Sequence, residues 1–235
     1  MNKRIDDIAV LVQARMSSER CPGKMLRPFA GSNLVDITLK KLKQSQVFPK
    51  ENIILSVHEP GLIEVGLRNE VTVFERSEES SLWDGGPDAH LTGMYEWWDK
   101  IPFKYVVLVN ACTPLLRIET IDNFVEEYAA STSSGAFGVI DKMNYFWDEN
   151  FNLLTPLRDA AMNTKNVQTT YEAAHCLYAS KLESIGDNVW MGNFNVPGEI
   201  ELIPVNESEC YDIDYEWQFP IVESIYNSAR RLDDS

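Results

Sequence analysis

Short, continuous apolar runs alternate with amphipathic stretches along the first 140 residues of this chain. The runs are IAVLV at 8–12, NIILSV at 52–57, VTVF at 71–74, YVVLVNA at 105–111 and SGAFGVI at 134–140. A run with no polar alternation suits a strand covered on both faces. Between them, SNLVDITLKKLKQS places Leu34, Ile37, Leu39 and Leu42 at helical spacing behind a Ser32 or Asn33 cap, and IETIDNFVEEYAAS is amphipathic. AHLTGMYEWWDK at 89–100 also reads as a helix, with Trp97 and Trp98 in core or interface. Strand-helix alternation predicts α/β architecture, a Rossmann-like and mostly parallel sheet, and ligands at the C-terminal ends of its strands. The rhythm fails from about Asn144 to Thr170, so 143–172 is read as an inserted lobe for dimerisation or acceptor contacts. It resumes with HCLYAS at 175–180, EIELIPV at 199–205 and a terminal helix over 214–232 that holds Pro220 in its first turns.

The first strand runs into LVQARMSSERCPGKML. A Walker loop needs glycine where Ser18 stands and a hydroxyl where Met25 stands, so that NTPase class is excluded, and GxGxxG is absent. What remains is Arg15, Ser17, Ser18, Arg20 and Lys24 on a turn-rich loop, a set of cations and loop N–H groups that can hold phosphates. A solvated surface loop fits the same residues equally well. Near the other end, ECYDIDYEW sets Asp212 and Asp214 two apart. Alternate residues of an extended segment share a face, and two carboxylates there can hold Mg²⁺, or Mn²⁺ in its place, beside phosphates. The other reading makes one of them a helix cap.

Charge and cysteines set the boundaries. A net charge of −15 disfavours nucleic acid. Cys21, Cys112, Cys176 and Cys210 form no CxxC, which argues against a disulfide framework or structural zinc site. No run approaches the ~18 apolar residues of a membrane span, and MNKRIDD lacks an apolar signal region, so a cytoplasmic protein away from the membrane is expected. His58, His90 and His175 lack metal-ligand spacing, and VWMGNFNVPGE at 189–199 reads as a loop over the site.

Taken in order, IAVLVQARMSSERCPGKML, VNACTPLLR and DIDYEW resemble the acylneuraminate cytidylyltransferase family, the CMP-sialic acid synthetases and their relatives, including a spore-coat polysaccharide branch. The resemblance covers nearly the whole chain. It implies a single nucleotidyltransferase domain over 1–235, of the glycosyltransferase-A type. The implied reaction moves CMP from CTP to a 2-keto-3-deoxy sugar acid, nonulosonic or octulosonic, with release of pyrophosphate, for surface polysaccharide. It implies Mg²⁺ and a homodimer. Carried over by position, Arg15, Ser17, Ser18, Arg20 and Lys24 contact the triphosphate, and Arg76 lies near the nucleotide. Asn110 and Ala111 read the base, with Asn110 in place of a glutamine. Asp212 and Asp214 hold the metal. Arg15, Lys24 and Asp214 carry the chemistry, and Lys142, Arg158 and His175 are the acceptor candidates. Glu19, Met25 and the stretch Ala174–Tyr178 depart from the family pattern, the last on the acceptor side. A phosphonate or phosphorylated acceptor, a nucleotide-sugar glycosyltransferase and a non-catalytic nucleotide-binding paralogue are the alternatives.

Overall fold

The computed structural model describes residues 3–83, 85–86, 89–156 and 163–233. A seven-stranded sheet is its centre. The strands are β1 (Ile8–Gln13), β2 (Ile53–Val57), β3 (Thr72–Glu75), β4 (Tyr105–Val109), β5 (Gly135–Lys142), β6 (Thr170–Lys181) and β7 (Ile200–Pro204), in the spatial order β3-β2-β1-β4-β6-β5-β7. All neighbours pair in parallel except β6, which runs antiparallel to both β4 and β5. The sheet is therefore mostly parallel, as the alternation requires. Ile8 to Val12 are fully buried. Even-numbered residues of β1 face one core with Leu39, Val65, Phe124 and Tyr128, while Ala9 and Leu11 face a second core with Trp97, Leu182 and Ile185.

The helices are α1 (Leu34–Leu42), α2 (Pro60–Arg68), α3 (Glu78–Leu82), α4 (Leu91–Met94), α5 (Ile118–Ala130), α6 (Leu182–Gly186) and α7 (Gln218–Asp233). Asn33 caps α1 through Asp36 N, and Asp36 is locked beneath Lys40, Arg68 and Asn69. The helix expected over 89–100 is one turn only. Gly93 weakens it, and Tyr95 leaves helical geometry so that Trp97 can bury completely and donate to Gln13 Oε1 at 2.7 Å. Trp97 is thus core. The terminal helix begins four residues later than expected, at Gln218, whose Oε1 accepts from the backbone N–H groups of Asp214 and Tyr215. Pro220 falls in its first turn, where an N–H has no helical acceptor.

Two features shape the β5–β6 end of the sheet. The segment read as an insertion stops short of its expected boundary, because β6 already starts at Thr170 and pairs with Lys142. β6 also carries a large bulge. Phe137 pairs with Tyr178 and Val139 with Ala173, so Gly138 alone faces the four residues 174–177. His175 sits in that bulge at φ 52°. Beside it, the cross-strand row Leu108, Tyr178, Phe137 and Leu202 forms the less covered face of the sheet, with Leu202 44% exposed.

Candidate active site

β1 leads directly into the basic loop, whose root is fixed. Ala14 N still bonds to Ser56 O of β2 at 3.2 Å, and Met16 N donates to Glu59 Oε1 at 2.6 Å. Buried Arg76 donates to Ala14 O at 2.7 Å and to Ser80 O at 3.2 Å, and burial pulls its pKa down to about 10. Beyond this root Ser17, Glu19 and Arg20 are exposed. Gly23, at φ +67°, then turns the chain back, and Lys24 points inward. Its Nζ donates to Ile213 O and stands 3.6 Å from Asp214 Oδ1. Met25, at the position of a Walker hydroxyl, is 6% exposed and packs into the core.

A cleft of about 870 Å³ opens over this loop. Arg15, Ser17, Ser18, Arg20 and Lys24 line one side, Arg76 and Ser80 to Trp83 another, and Leu108, Asn110, Cys112 and Asp214 complete the wall. It lies at the C-terminal ends of β1 and β4, where open α/β sheets bind ligands. Arg15 is steered across it by the carbonyls of Ser81 and Trp83 at 3.4 and 3.3 Å.

The aspartates are set by the residue between them. Ile213 is fully buried, its N–H donates to Cys112 O at 3.0 Å, and its carbonyl accepts from Lys24. Asp214 Oδ1 meets Arg20 Nη2 at 3.0 Å as well as Lys24. It lies ahead of α7 and does not cap it. Asp212 Oδ2 accepts from Asn110 Nδ2 at 3.2 Å, while Asp212 Oδ1 is buried without a hydrogen-bond partner. Burial, and then the nearby Asp214, push the Asp212 carboxyl above its ordinary range, with Lys24 and Asn110 opposing. Burial lowers the Lys24 ammonium pKa, but Cys112, Asp212 and Asp214 outweigh it and raise the net value. Two carboxylates, one with an orphaned buried oxygen, and two cations therefore share one corner.

Residues 9–184 match the sequence profile of the family described as Cytidylyltransferase. The chain belongs to that family. Cytidylyltransferases are nucleotidyltransferases. The chain is similar to the spore coat polysaccharide biosynthesis protein SpsF of Bacillus subtilis (strain 168), with 35% identity over 88 residues, 33% of this chain and 35% of that protein. The match thus spans about a third of the length of that curated relative. Among solved structures it resembles a CMP:2-keto-3-deoxy-manno-octonic acid synthetase complexed with CTP, at TM-score 0.70 and 11% identity over 94% of this chain and 99% of the other. It also resembles a 4-diphosphocytidyl-2C-methyl-D-erythritol synthase from Anaerococcus prevotii DSM 20548, at TM-score 0.64 and 11% identity over 95% and 97%. A cytidylyltransferase from Leptospira borgpetersenii serovar Hardjo-bovis (strain JB197) aligns at TM-score 0.60 and 17% identity over 93% and 85%.

The fold thus brings Arg15, Ser17, Ser18, Arg20, Lys24, Arg76, Asn110 and Asp214 of this cytidylyltransferase into one cleft. Ala111 is buried behind it at 1% exposure. The acceptor candidates divide. His175 is tied to the corner through its carbonyl, which accepts from Asn110 at 2.9 Å, and its Nδ1 lies 3.3 Å from the Tyr178 hydroxyl. Lys142 ends β5, outside the cleft lining, and is ion-paired with Glu172 at 3.2 Å and with Glu207. Arg158 lies outside the described residues. The wall from Ser80 to Trp83 went unread in the sequence, although Ser77 followed by Glu78 and Glu79 is a helix-start signal that marks α3. Among the described residues no three His, Cys, Asp or Glu side chains gather as a metal cluster, so any cation here would take its remaining ligands from phosphate and water. No described helix is long and apolar enough to cross a membrane.

Proposed function

We propose that this cytidylyltransferase transfers CMP from CTP to the anomeric hydroxyl of a 2-keto-3-deoxy sugar acid, in the making of a surface polysaccharide. One observation carries the reading. Asp212, outside the cleft lining but bonded to Asn110 within it, has a buried oxygen without a partner, and Asp214 with its two cations lines the same nucleotide-sized cleft. Such an oxygen fits a hard cation, and Asp212 and Asp214 would hold Mg²⁺. Bound Mg²⁺ would supply positive charge to the phosphates. Mn²⁺ would substitute.

The acceptor oxygen attacks the α-phosphorus, its bond to the β-phosphate oxygen breaks, and pyrophosphate leaves. Phosphoryl transfer depends chiefly on position and charge. Arg15, with its guanidinium steered over the cleft, and Lys24, anchored on Ile213 O, give fixed positive charge along the triphosphate. Arg20 exchanges Asp214 for phosphate as the nucleotide arrives. The acceptor proton passes through water to an aspartate. His175, in the bulge beside Asp212, faces the acceptor. The exposed apolar residues of the inserted segment, among them Trp147 at 51% and Phe151 at 87%, support a homodimer through that lobe.

Lys142, its charge already met by two glutamates, does not distinguish a sugar carboxylate from a phosphonate or phosphorylated small molecule, so the same transfer to those acceptors is the second reading. Pyrophosphate release from CTP and Mg²⁺ over a panel of sugar acids, phosphonates and phosphorylated acceptors tests both. Release of a nucleoside diphosphate from a nucleotide sugar would instead show a glycosyltransferase. No release with any acceptor would leave a nucleotide-binding paralogue.

A further inference from the structure

Asn110 directly follows β4, and its amide is committed in three directions. Oδ1 accepts from Cys112 N at 2.9 Å, which fixes the amide's orientation. Nδ2 then donates to His175 O at 2.9 Å and to Asp212 Oδ2 at 3.2 Å. A primary amide has two N–H donors, and both have acceptors inside the chain. An amide that reads a base by donation must offer its donors to the ligand, and this one has none to spare.

We infer that Asn110 is the positioning residue for Asp212. It holds Oδ2 and so leaves Oδ1, the partnerless oxygen, as the one available to the cation. Carboxylate torsions are broad and two-fold, so one fixed oxygen is what gives the other a defined direction. The partners that orient a metal ligand matter nearly as much as the ligand. The choice of side chain follows. The bond from Oδ1 to the N–H two residues on is an Asx-type turn, open to asparagine but out of register for the longer glutamine. Asparagine accepts at Cys112 and still reaches the aspartate. The same amide ties the β6 bulge to the metal corner through His175 O. The base must then find its hydrogen-bond donors elsewhere in the cleft.

The inference rests on the reading that Asp212 holds the cation, and the experiment separates the two. Asn110→Ser keeps an acceptor for Cys112 N but replaces the amide's two N–H donors by one shorter O–H; Asn110→Asp keeps the shape and turns oxygens toward Asp212 and His175 O. The full chain, both variants and Asp212→Asn are titrated with Mn²⁺ in the presence of CTP, with free Mn²⁺ followed by electron paramagnetic resonance. The affinities for CTP and UTP are measured at saturating Mn²⁺. Asn110→Ser should raise the Mn²⁺ half-saturation ~10–100-fold, and both Asn110 variants should leave the CTP-to-UTP ratio unchanged. A collapsed ratio with unaltered Mn²⁺ binding would make Asn110 a base reader and overturn the inference. So would a lower melting temperature with neither quantity moved, the mark of a merely structural role. If Asp212→Asn itself leaves Mn²⁺ binding intact, the metal reading falls, and the inference with it.

Discussion

Replacing either aspartate by asparagine should abolish turnover, yet the two replacements should move stability in opposite directions. Asp214 stands 3.6 Å from Lys24 Nζ, and the lysine side chain is 8% exposed against 34% for the aspartate. At an effective dielectric constant near 20, unit charges at that distance attract by about 4–5 kcal/mol. Water at the half-open carboxylate returns part of this, and Lys24 keeps the Ile213 carbonyl, so Asp214→Asn should cost ~1–3 kcal/mol. For a chain of this length that lowers the melting temperature by about 3–10 °C. Asp212 is the reverse case, because burial and Asp214 hold its pKa above the ordinary range. A raised carboxylate stabilises the fold in its protonated form, and that contribution is lost as pH rises through the raised value. Asp212→Asn removes this loss, so its melting temperature at pH 7 should equal or exceed that of the unaltered chain, with a flatter pH dependence from about pH 4 upward. Thermal unfolding at low salt, run beside pyrophosphate release, measures both. Equal falls in melting temperature for the two variants would refute the charge assignment, as would an unmoved Asp214→Asn.

Other outcomes follow from single sites. A Cβ at Gly135 would lie 2.7 Å from Ala179 O and 2.5 Å from Met191 Cα, both backbone, so Gly135→Ala should cost ~2 kcal/mol or more and lower the melting temperature by at least ~4 °C. Burial raises the pKa of Asp36, but hydrogen bonds from Lys40, Ser32, Asn69 and Arg68 outweigh it and hold the carboxyl well below its ordinary range. Its stabilisation is present above about pH 4 and lost below, so Asp36→Asn should cost ~3 kcal/mol at pH 7 and flatten the acid limb of a denaturant-midpoint profile. Trp147→Ser combined with Phe151→Ser should yield a monomer by sedimentation, and a dimer that survives would remove the lobe from the interface.

The sequence made legible whatever depends on neighbours along the chain. Ile8–Val12 and Tyr105–Val109 are strands because their side chains have apolar cover on both faces, and an uninterrupted run records that. The basic loop and the aspartate pair were legible as residue types in order. Their meeting was not, since Lys24 and Ile213 are 189 residues apart. Neither was the amide of Asn110, whose acceptors lie 65 and 102 residues away. Residues 170–174 went unread as strand because that end of β6 pairs only with β5 and keeps exposed polar positions. The helix expected at 89–100 is a single turn because Gly93 weakens it and the chain leaves helical geometry at Tyr95, which lets Trp97 turn toward Gln13.

The bulge opposite Gly138 divides β6 into two lengths with separate registers. The inner length, 177–181, is clamped between β4 and β5 and shares the rigidity of the nucleotide sheet. The outer length, 170–173, forms a ribbon with β5 alone. A one-residue insertion in most strands would turn every later side chain to the wrong face, but here the bulge takes up the slip. The outer ribbon can therefore keep a register of its own, while the bulge at its root stays tied to the cleft through His175 O and Asn110. On the acceptor role proposed for the lobe, grafting the span between β5 and the bulge from one family member to another should change the acceptor and keep the nucleotide.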